Sequence, residues 1–183
     1  MWIAAPTLAA IVVSLLSASH EKEDCDAIYR LIIGSNHSET WKHTHAVLNA
    51  TDLPGSLEAS FGSELSRLPL LRRPIARWQF HAFFVANRES LPLSYSRTVG
   101  PDVALISTEE LRVFLNAGIT VLRLSRPGFS LSHRNAVVFL SAERPNAPPL
   151  APFFEGSLLY FKKVNGRWIS DERPNLPRMW LVT

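Results

Sequence analysis

The side chains most able to do chemistry in this sequence are histidines and serines in two short phrases. In "KHTH", His43 and His45 would lie on one side of a strand, a spacing that could bind a metal ion, but no third ligand is identifiable. In "SLSH", Ser132 beside His133 could supply a nucleophile and a base. Adjacent residues of an extended chain point apart, however, and the G-x-S-x-G turn of many serine hydrolases is missing. We interpret both phrases as structural.

Acidic and imidazole groups elsewhere would allow acid–base chemistry. Glu109 and Glu110 could act as acid and base, but they open a predicted helix, where carboxylates stabilise the helix dipole. His81 lies in an aromatic segment, where it could line a pocket with a shifted pKa or form a hydrogen bond inside the core. For both features the sequence favours the structural interpretation.

Arg126 is the most suggestive charged residue. It follows an apolar strand and precedes a Pro-Gly bend, where its guanidinium could bind the carboxylate of an acidic ligand. It could also bind a carboxylate of this chain, with Glu109, Glu110 and Asp171 as candidates. We favour an internal carboxylate.

The composition predicts one folded domain. With 183 residues, 46% of them hydrophobic, the chain is long enough to bury one core. Cys25 is the only cysteine, which excludes an internal disulfide and a cysteine-based zinc site. The net charge is +3, and neither a phosphate-binding glycine loop nor a strong interleave of basic and aromatic residues is present. We therefore expect no cofactor, no metal and no nucleic acid partner.

The first 19 residues resemble a secretory signal peptide. An apolar run from Trp2 to Leu16 is followed by small residues and then by a charged cluster beginning at Glu21, with a plausible cleavage point after Ser19. We predict a signal peptide over 1–19, a single domain over 20–183, and a secreted or periplasmic location. The alternative is an uncleaved leader that anchors the chain to a membrane.

The hydrophobic pattern divides the first half of the domain into a helix, a strand and a second helix. Acidic residues followed by apolar residues at helical spacing predict a helix over 22–33, ended by Gly34. Alternating aromatic and β-branched residues from Trp41 to Val47 predict a strand. A segment that is apolar on most sides predicts a central helix over 74–87, packed against a sheet.

The second half reads as a short helix followed by an antiparallel meander. Ser107 or Thr108 could cap a helix that buries Leu111, Phe114 and Leu115 and stops at Gly118. The predicted strands cover 119–125, 135–143, 155–164, 167–172 and 178–183.

A hairpin turn at Asn165-Gly166 is the strongest local signal in the chain. Both residues tolerate the positive φ of a type I′ turn. That turn would pair Val164 with Arg167 and Lys163 with Trp168. The apolar base of the hairpin would be buried and its tip would project into water.

Several phrases together resemble a family of uncharacterised exported bacterial proteins. They are "FFVANRESLPLS", "ALISTEELRVFL", "LRLSRPGFSLSHRNAVVFLS" and "GSLLYFKKVNGRWIS", within a match over residues 25–172. This chain departs from the family pattern at Pro127 and in the proline-rich stretch 144–154. The resemblance implies no activity or cofactor. It implies an α+β fold in which a curved antiparallel sheet wraps around a long helix, as in cystatin-like or nuclear-transport-factor-like cones.

Three functions remain open from the sequence, with a non-enzymatic role favoured over catalysis. The first is an exported domain that binds a protein or peptide through its sheet or the mouth of the cone, because a helix on one face would leave the other free. Phe153, Trp168 and Trp180 could be aromatic anchors for the partner, or they could be core residues. The second is a small-molecule-binding or catalytic cone with a pocket between the 74–87 helix and the sheet. Its lining would include Trp78, His81, Phe84 and Arg126. The third is an immunity or inhibitor protein. The oligomeric state is left open.

Overall fold

One mixed β-sheet organises the part of the chain that the computed structural model describes. That part comprises residues 5–34, 44–51, 81–90, 92–93, 103–143, 145 and 155–171, with only the backbone described over 5–19. The sheet has seven strands and few helices accompany it, which confirms an α+β fold.

The predicted helices and strands that are described occur in the predicted order, and two short strands that were not predicted are added at 104–106 and 128–129. Helix α1 covers Ala5–Gly34, a helical segment covers 81–86, and helix α2 covers Leu111–Asn116. The strands are β1 (Thr44–Leu48), β2 (Ala104–Ile106), β3 (Thr120–Leu124), β4 (Gly128–Phe129), β5 (Asn135–Glu143), β6 (Glu155–Val164) and β7 (Arg167–Ser170). Strands β5 and β6 have the predicted bounds, whereas the predicted strand 178–183 lies outside the described residues.

The strands lie in the order β2-β1-β3-β5-β6-β7, with β4 also paired to β5. Every pair from β3 to β7 is antiparallel, which confirms the predicted meander. Strand β1 was predicted, but its position was not: it lies between β2 and β3 and is parallel to both. The sheet is therefore mixed and extends beyond the meander.

The β6–β7 hairpin has the predicted register. Val164 pairs with Arg167 and Lys163 with Trp168, while Asn165 and Gly166 adopt positive φ angles of 50° and 76°. The base of the hairpin is buried and the two turn residues are exposed. Local turn chemistry thus sets the geometry of the C-terminal end of the described sheet.

Both faces of the sheet are covered by helical segments. On the face that we call the α1 face, Ile28, Tyr29 and Ile32 pack in one cluster with β-strand residues that include Leu122. On the opposite face, the α2 face, Leu111 packs in a cluster with Val121. Since Val121 and Leu122 are successive strand residues, the two clusters lie on opposite sides. The expectation that one face stays free for a partner is therefore wrong for this part of the sheet.

Helix α1 is longer than the helix predicted over 22–33. It ends at Gly34 as predicted, but it begins at Ala5 and so runs through the predicted leader. Within the described residues, no helix combines the length and apolar character needed to cross a membrane. Of the central helix predicted over 74–87, residues 81–86 are helical and Asn87 lies in a turn, whereas 74–80 lie outside the described residues.

The helical segment 81–86 contacts the sheet at Gly128. Phe129 packs in the α1-face cluster, so the preceding Gly128 faces the α2 side, where it meets the fully buried Phe83. A Cβ atom at Gly128 would lie 2.5 Å from Phe83 Cα and 2.8 Å from Phe83 N. Glycine is needed here because the two backbones approach too closely for a side chain.

We expect Gly128→Ala to lower the free energy of unfolding by about 2 kcal/mol or more, because the added methyl group meets backbone atoms that cannot rotate away. Urea unfolding followed by far-UV circular dichroism measures the change. The control is Gly34→Ala, where an added Cβ meets nothing within 4 Å, and we expect a change below about 1 kcal/mol. Equal effects of the two substitutions would contradict this account of the contact.

Candidate functional site

A β-bulge separates β3 from β4 along the edge of β5. Leu124 pairs with Leu140 and Gly128 with Val137, so three residues of one strand face two residues of the other. Ser125 maintains the hydrogen bonding to β5 at this point. Its N–H donates to the Phe139 carbonyl at 2.9 Å, and its hydroxyl accepts from the Phe139 N–H at 2.7 Å. The serine of the "LSRPGF" phrase thus replaces a backbone acceptor that the bulge removes.

Asn87 binds the backbone of the bulge from the end of the helical segment 81–86. Its Nδ2 donates to the Arg126 carbonyl at 2.9 Å, and its Oδ1 accepts from the Arg126 N–H at 2.6 Å. The same Nδ2 donates to the Phe83 carbonyl at 2.8 Å, which ties the side chain to its own helix. One amide therefore satisfies both backbone polar groups of Arg126, which the ladder with β5 leaves without strand partners.

Helix α1 contacts the same bulge from the other face. The Tyr29 hydroxyl donates to the Ser125 carbonyl at 3.1 Å in a buried position. Arg126 Nη2 lies 3.4 Å from Glu21 Oε1, with the two side chains 32% and 38% exposed, so the pair contributes less than about 1 kcal/mol. The predicted internal carboxylate for Arg126 is thus present, but it is Glu21, which was not among the three candidates.

Asp24 joins α1 to both strands of the hairpin. Its Oδ1 lies 2.6 Å from Lys163 Nζ and accepts from Trp168 Nε1 at 2.8 Å. The Lys163 ammonium also lies 5.5 Å from the Trp168 ring centroid, a cation–π distance. Trp168 is only 6% exposed and its ring lies 5.8 Å from that of Phe129. The tryptophan proposed as a partner anchor is instead packed in the core and holds β7 in place.

Along α1, Cys25 lies between Asp24, which contacts the hairpin, and Tyr29, which contacts the bulge. Burial raises the pKa of its thiol to about 12, the Glu21 carboxylate adds to the shift, and Arg126 opposes it. The thiol therefore stays protonated at neutral pH, and a protonated thiol is a poor nucleophile.

Strand β7 lies at the end of the described sheet. The two-residue turn makes Val164 and Arg167 a hydrogen-bonded pair, and the Asp171 N–H donates to the Tyr160 carbonyl at 2.8 Å. Bonded pairs alternate along the ladder, so the backbone N–H and C=O groups of Trp168 and Ser170 point away from β6. No strand among the described residues lies on that side.

Two side chains mark this edge on the α2 face. Arg167 is exposed, and Ile169 is 41% exposed although it is a large apolar residue. Behind them, the Lys162 ammonium lies 3.6 Å from the buried Asp171 carboxylate. We call residues 167–171, with their outward backbone groups, the β7 edge. It is the arrangement in the described structure best suited to contact another molecule.

The residues predicted to line a pocket are not all described. Trp78 lies outside the described residues, as do the proposed anchors Phe153 and Trp180. His81 is exposed, Phe84 is half-buried, and at this end the helix touches the sheet directly through Gly128.

The short phrases with histidine and serine are not assembled as catalytic sites. The Ser132 hydroxyl lies 3.2 Å from Ser130 Oγ, while the exposed His133 stacks on Phe129 with 5.2 Å between ring centroids. His43 lies outside the described residues, and of His45 only the backbone is described. Across the described ranges, no group of three His, Cys, Asp or Glu side chains could hold a metal ion.

The acidic pair before α2 forms a cap. The Glu110 N–H donates to Ser107 Oγ at 3.3 Å, and the Ser107 N–H donates to Glu110 Oε2 at 2.8 Å, the two bonds of a capping box. Hydrogen bonds from its own backbone N–H and from the Ser107 hydroxyl hold the pKa of Glu109 below its usual value. The Ser107 cap closes the turn over 108–110 that precedes the helix, whereas the N-cap residue of α2 itself is Glu110, which has no side-chain cap.

Sequence reasoning did not predict that Asn87 and Tyr29 bond to the bulge or that Asp24 bonds to the hairpin. Asn87 carried a usable signal, since it lies in "FFVANRESLPLS", one of the phrases that resemble the exported bacterial family. Asp24 was recognised only as one of several acidic residues near a helix start.

Comparisons of the chain with protein-family models, curated proteins and solved structures found no match. The exported bacterial family therefore remains a resemblance.

We expect Asn87→Ala to lower the free energy of unfolding by about 2 kcal/mol, because the Arg126 N–H loses its partner and the Arg126 carbonyl keeps only the 3.2 Å bond from the Ser125 hydroxyl. Chemical denaturation measures the loss. Asn116→Ala, at the exposed end of α2, is the matched control and should change stability by less than about 0.5 kcal/mol. A loss at Asn87 no larger than at Asn116 would show that the amide does not support the bulge.

We expect the Cys25 thiol to react with iodoacetamide at pH 8 at least about tenfold more slowly in the folded chain than in the urea-unfolded chain, because the raised pKa leaves almost no thiolate. Mass spectrometry of timed aliquots gives both rates. Equal rates would mean that the thiol is neither buried nor electrostatically shielded.

Proposed function

We propose that this chain is an exported, non-enzymatic binding domain that takes an extended segment of a protein or peptide partner as an added strand on the β7 edge. The observation that carries the proposal is the set of outward backbone groups of Trp168 and Ser170, next to the exposed Ile169. Strand addition uses backbone hydrogen bonds for affinity and alternate side chains for specificity.

The rigidity of β7 supports this mode of binding. Its central tryptophan is held by Asp24 from α1 and packs against Phe129 beyond the bulge. A template that is already ordered leaves only the partner's own ordering as an entropic cost. The polar side chains of α1, the bulge and the hairpin bond to one another, and through these contacts they hold β7 in position.

The side chains of the β7 edge favour a partner strand with particular residue types. On the α2 face, Arg167 and Ile169 alternate with the outward backbone groups. A partner strand would therefore place an apolar residue beside Ile169 and an acidic residue beside Arg167, since cross-strand pairs of these kinds are stabilising.

Cleavage of the predicted leader is compatible with the contacts that α1 makes to the bulge and the hairpin. Cleavage after Ser19 would keep Glu21, Asp24 and Tyr29 in the mature chain, and with them the described side-chain contacts of α1 to the bulge and hairpin. The secreted or periplasmic location and the cleaved leader are part of the proposal.

The finer fold and the other functions stay predictions. A cystatin-like or nuclear-transport-factor-like cone is supported by α1 packing across one face of the sheet, but the sheet also carries a parallel strand and helical segments on its second face. The ligand pocket stays a prediction, since one of its four predicted lining residues, Trp78, lies outside the described residues. An immunity or inhibitor role could use the same edge.

Proline substitution tests the proposal because it removes a single backbone donor. We expect Ser170→Pro to keep the fold, since the Ser170 N–H points away from β6 and proline is tolerated at such edge positions. Ser170→Ala keeps the donor and is the matched control. The probe is a displayed library of linear peptides, selected on the unmodified chain.

We expect selected peptides to bind the proline variant at least about tenfold more weakly than the alanine variant, as loss of one or more backbone hydrogen bonds predicts. Fluorescence anisotropy of labelled peptides gives both affinities, and circular dichroism confirms that both variants fold. Equal affinities would rule out strand addition on β7.

A further inference from the structure

We infer that one end of the sheet docks on a membrane surface that contains anionic phospholipids, with Leu131 entering the lipid layer. This end consists of the β4–β5 turn, residues 130–134, and the β6–β7 turn with its flanking residues, 164–167. We call these two segments the tip. The inference does not depend on strand addition at the β7 edge and gives the chain a second binding surface.

The tip projects beyond the first two strands of the sheet. Its two turns lie side by side, because the Lys163 N–H donates to the Arg134 carbonyl at 2.8 Å. Strand β1 ends at Leu48, level with Ser141 of β5, and β2 ends at the same level. From Ser141 back to Asn135, where the tip begins, β5 covers about 20 Å. A flat surface can therefore touch the tip without contacting β1 or β2.

The β4–β5 turn is held by its own hydrogen bonds and yet presents a leucine to solvent. The Ser130 N–H donates to the Asn135 carbonyl at 2.9 Å, and the Asn135 N–H donates to Ser130 Oγ at 3.1 Å. The His133 N–H donates to the Ser130 carbonyl at 2.8 Å, and the His133 ring stacks on Phe129. Leu131 is nevertheless 80% exposed, more than any other large apolar side chain in the described ranges. This turn therefore holds Leu131 away from the core.

The charge of the tip is positive. Residues 128–142 and 156–170, which form its strands and turns, contain no aspartate or glutamate and four basic residues, Arg134, Lys162, Lys163 and Arg167. The two lysines bind Asp171 and Asp24, which come from outside these ranges. The two arginines are exposed and have no carboxylate partner within the described part of the chain. One unneutralised guanidinium thus accompanies each turn.

A membrane surface matches both the apolar and the charged features of the tip. Guanidinium groups bind phosphates, and basic residues close to an anionic bilayer strengthen attachment to it. An apolar side chain between them can enter the boundary between headgroups and acyl chains, as Leu131 would, with the 43% exposed Val164 beside it. Single-stranded nucleic acid would instead require exposed aromatic rings for stacking, whereas Phe129 and Trp168 are buried.

Vesicle binding of the full chain tests the role of the charges. We expect at least about tenfold tighter binding to phosphatidylcholine vesicles with about one third phosphatidylglycerol than to phosphatidylcholine alone, measured by co-sedimentation. The neutral vesicles account for any binding by the apolar leader. Arg134→Gln should reduce this preference about fivefold. Arg112→Gln is the matched control, since Arg112 is exposed on α2, which leads into β3 at the opposite end of the sheet.

Equal binding to the two kinds of vesicle would overturn the inference, as would no binding at all. Equal effects of Arg134→Gln and Arg112→Gln would also overturn it, because they would mean that the overall positive charge, and not the tip, attracts the lipid.

A fluorescent probe tests the insertion of Leu131. The environment-sensitive dye NBD is attached to Leu131→Cys in a Cys25→Ala chain, and to Val113→Cys in the same chain as the control, because Val113 is 65% exposed on α2. We expect anionic vesicles to shift the emission of the dye at residue 131 to shorter wavelength and to leave the dye at residue 113 unchanged. A vesicle-bound chain with no shift at residue 131, or with equal shifts at both positions, would overturn the docking of the tip.

Discussion

The two hydrogen bonds between the Asn87 amide and the backbone of Arg126 determine where the long strand β3–β4 breaks. Without them the bulge would leave the N–H of Arg126 unsatisfied and its carbonyl with only the bond from the Ser125 hydroxyl, which is costly away from water. With them the chain resumes pairing at Gly128, whose missing side chain lets the helical segment approach. The following Phe129 then turns to the α1 face and meets Trp168. One amide thus positions a helix, a strand and the neighbour of the terminal hairpin.

Helix α1 completes this arrangement from the opposite face. The Tyr29 hydroxyl donates to the Ser125 carbonyl from within the apolar cluster of the α1 face, and Asp24 bonds to both strands of the hairpin. The charged side chains near the bulge therefore pair with other residues of this chain. That distribution explains why residues that resemble catalytic groups in the sequence have structural contacts in the fold, and why the edge of β7 is the more informative feature for function.

The sequence predicted those parts of the fold that depend on neighbours along the chain. The Asn165-Gly166 hairpin and the Ser107 cap follow from local turn and capping chemistry, and β5 and β6 are long apolar runs bounded by turn residues. The parallel insertion of β1 was not predictable, because its partners lie far away along the chain. The same reason applies to Glu21 as the partner of Arg126. Trp168 was left open as a partner anchor or a core residue, because the pattern near the turn mixes apolar and charged residues and only tertiary contacts decide which of them are buried.

Amide hydrogen exchange along the hairpin, measured with and without a selected peptide, tests most directly the claim that β7 is an open edge that accepts a strand. Ile169 and Asp171 donate inward to β6, so their amides should exchange slowly in both samples. The amides of Trp168 and Ser170 should exchange rapidly in the free chain and become protected when the peptide is added. Strong protection of Trp168 and Ser170 in the free chain would contradict the account, because it would mean that the edge is already covered within a single chain.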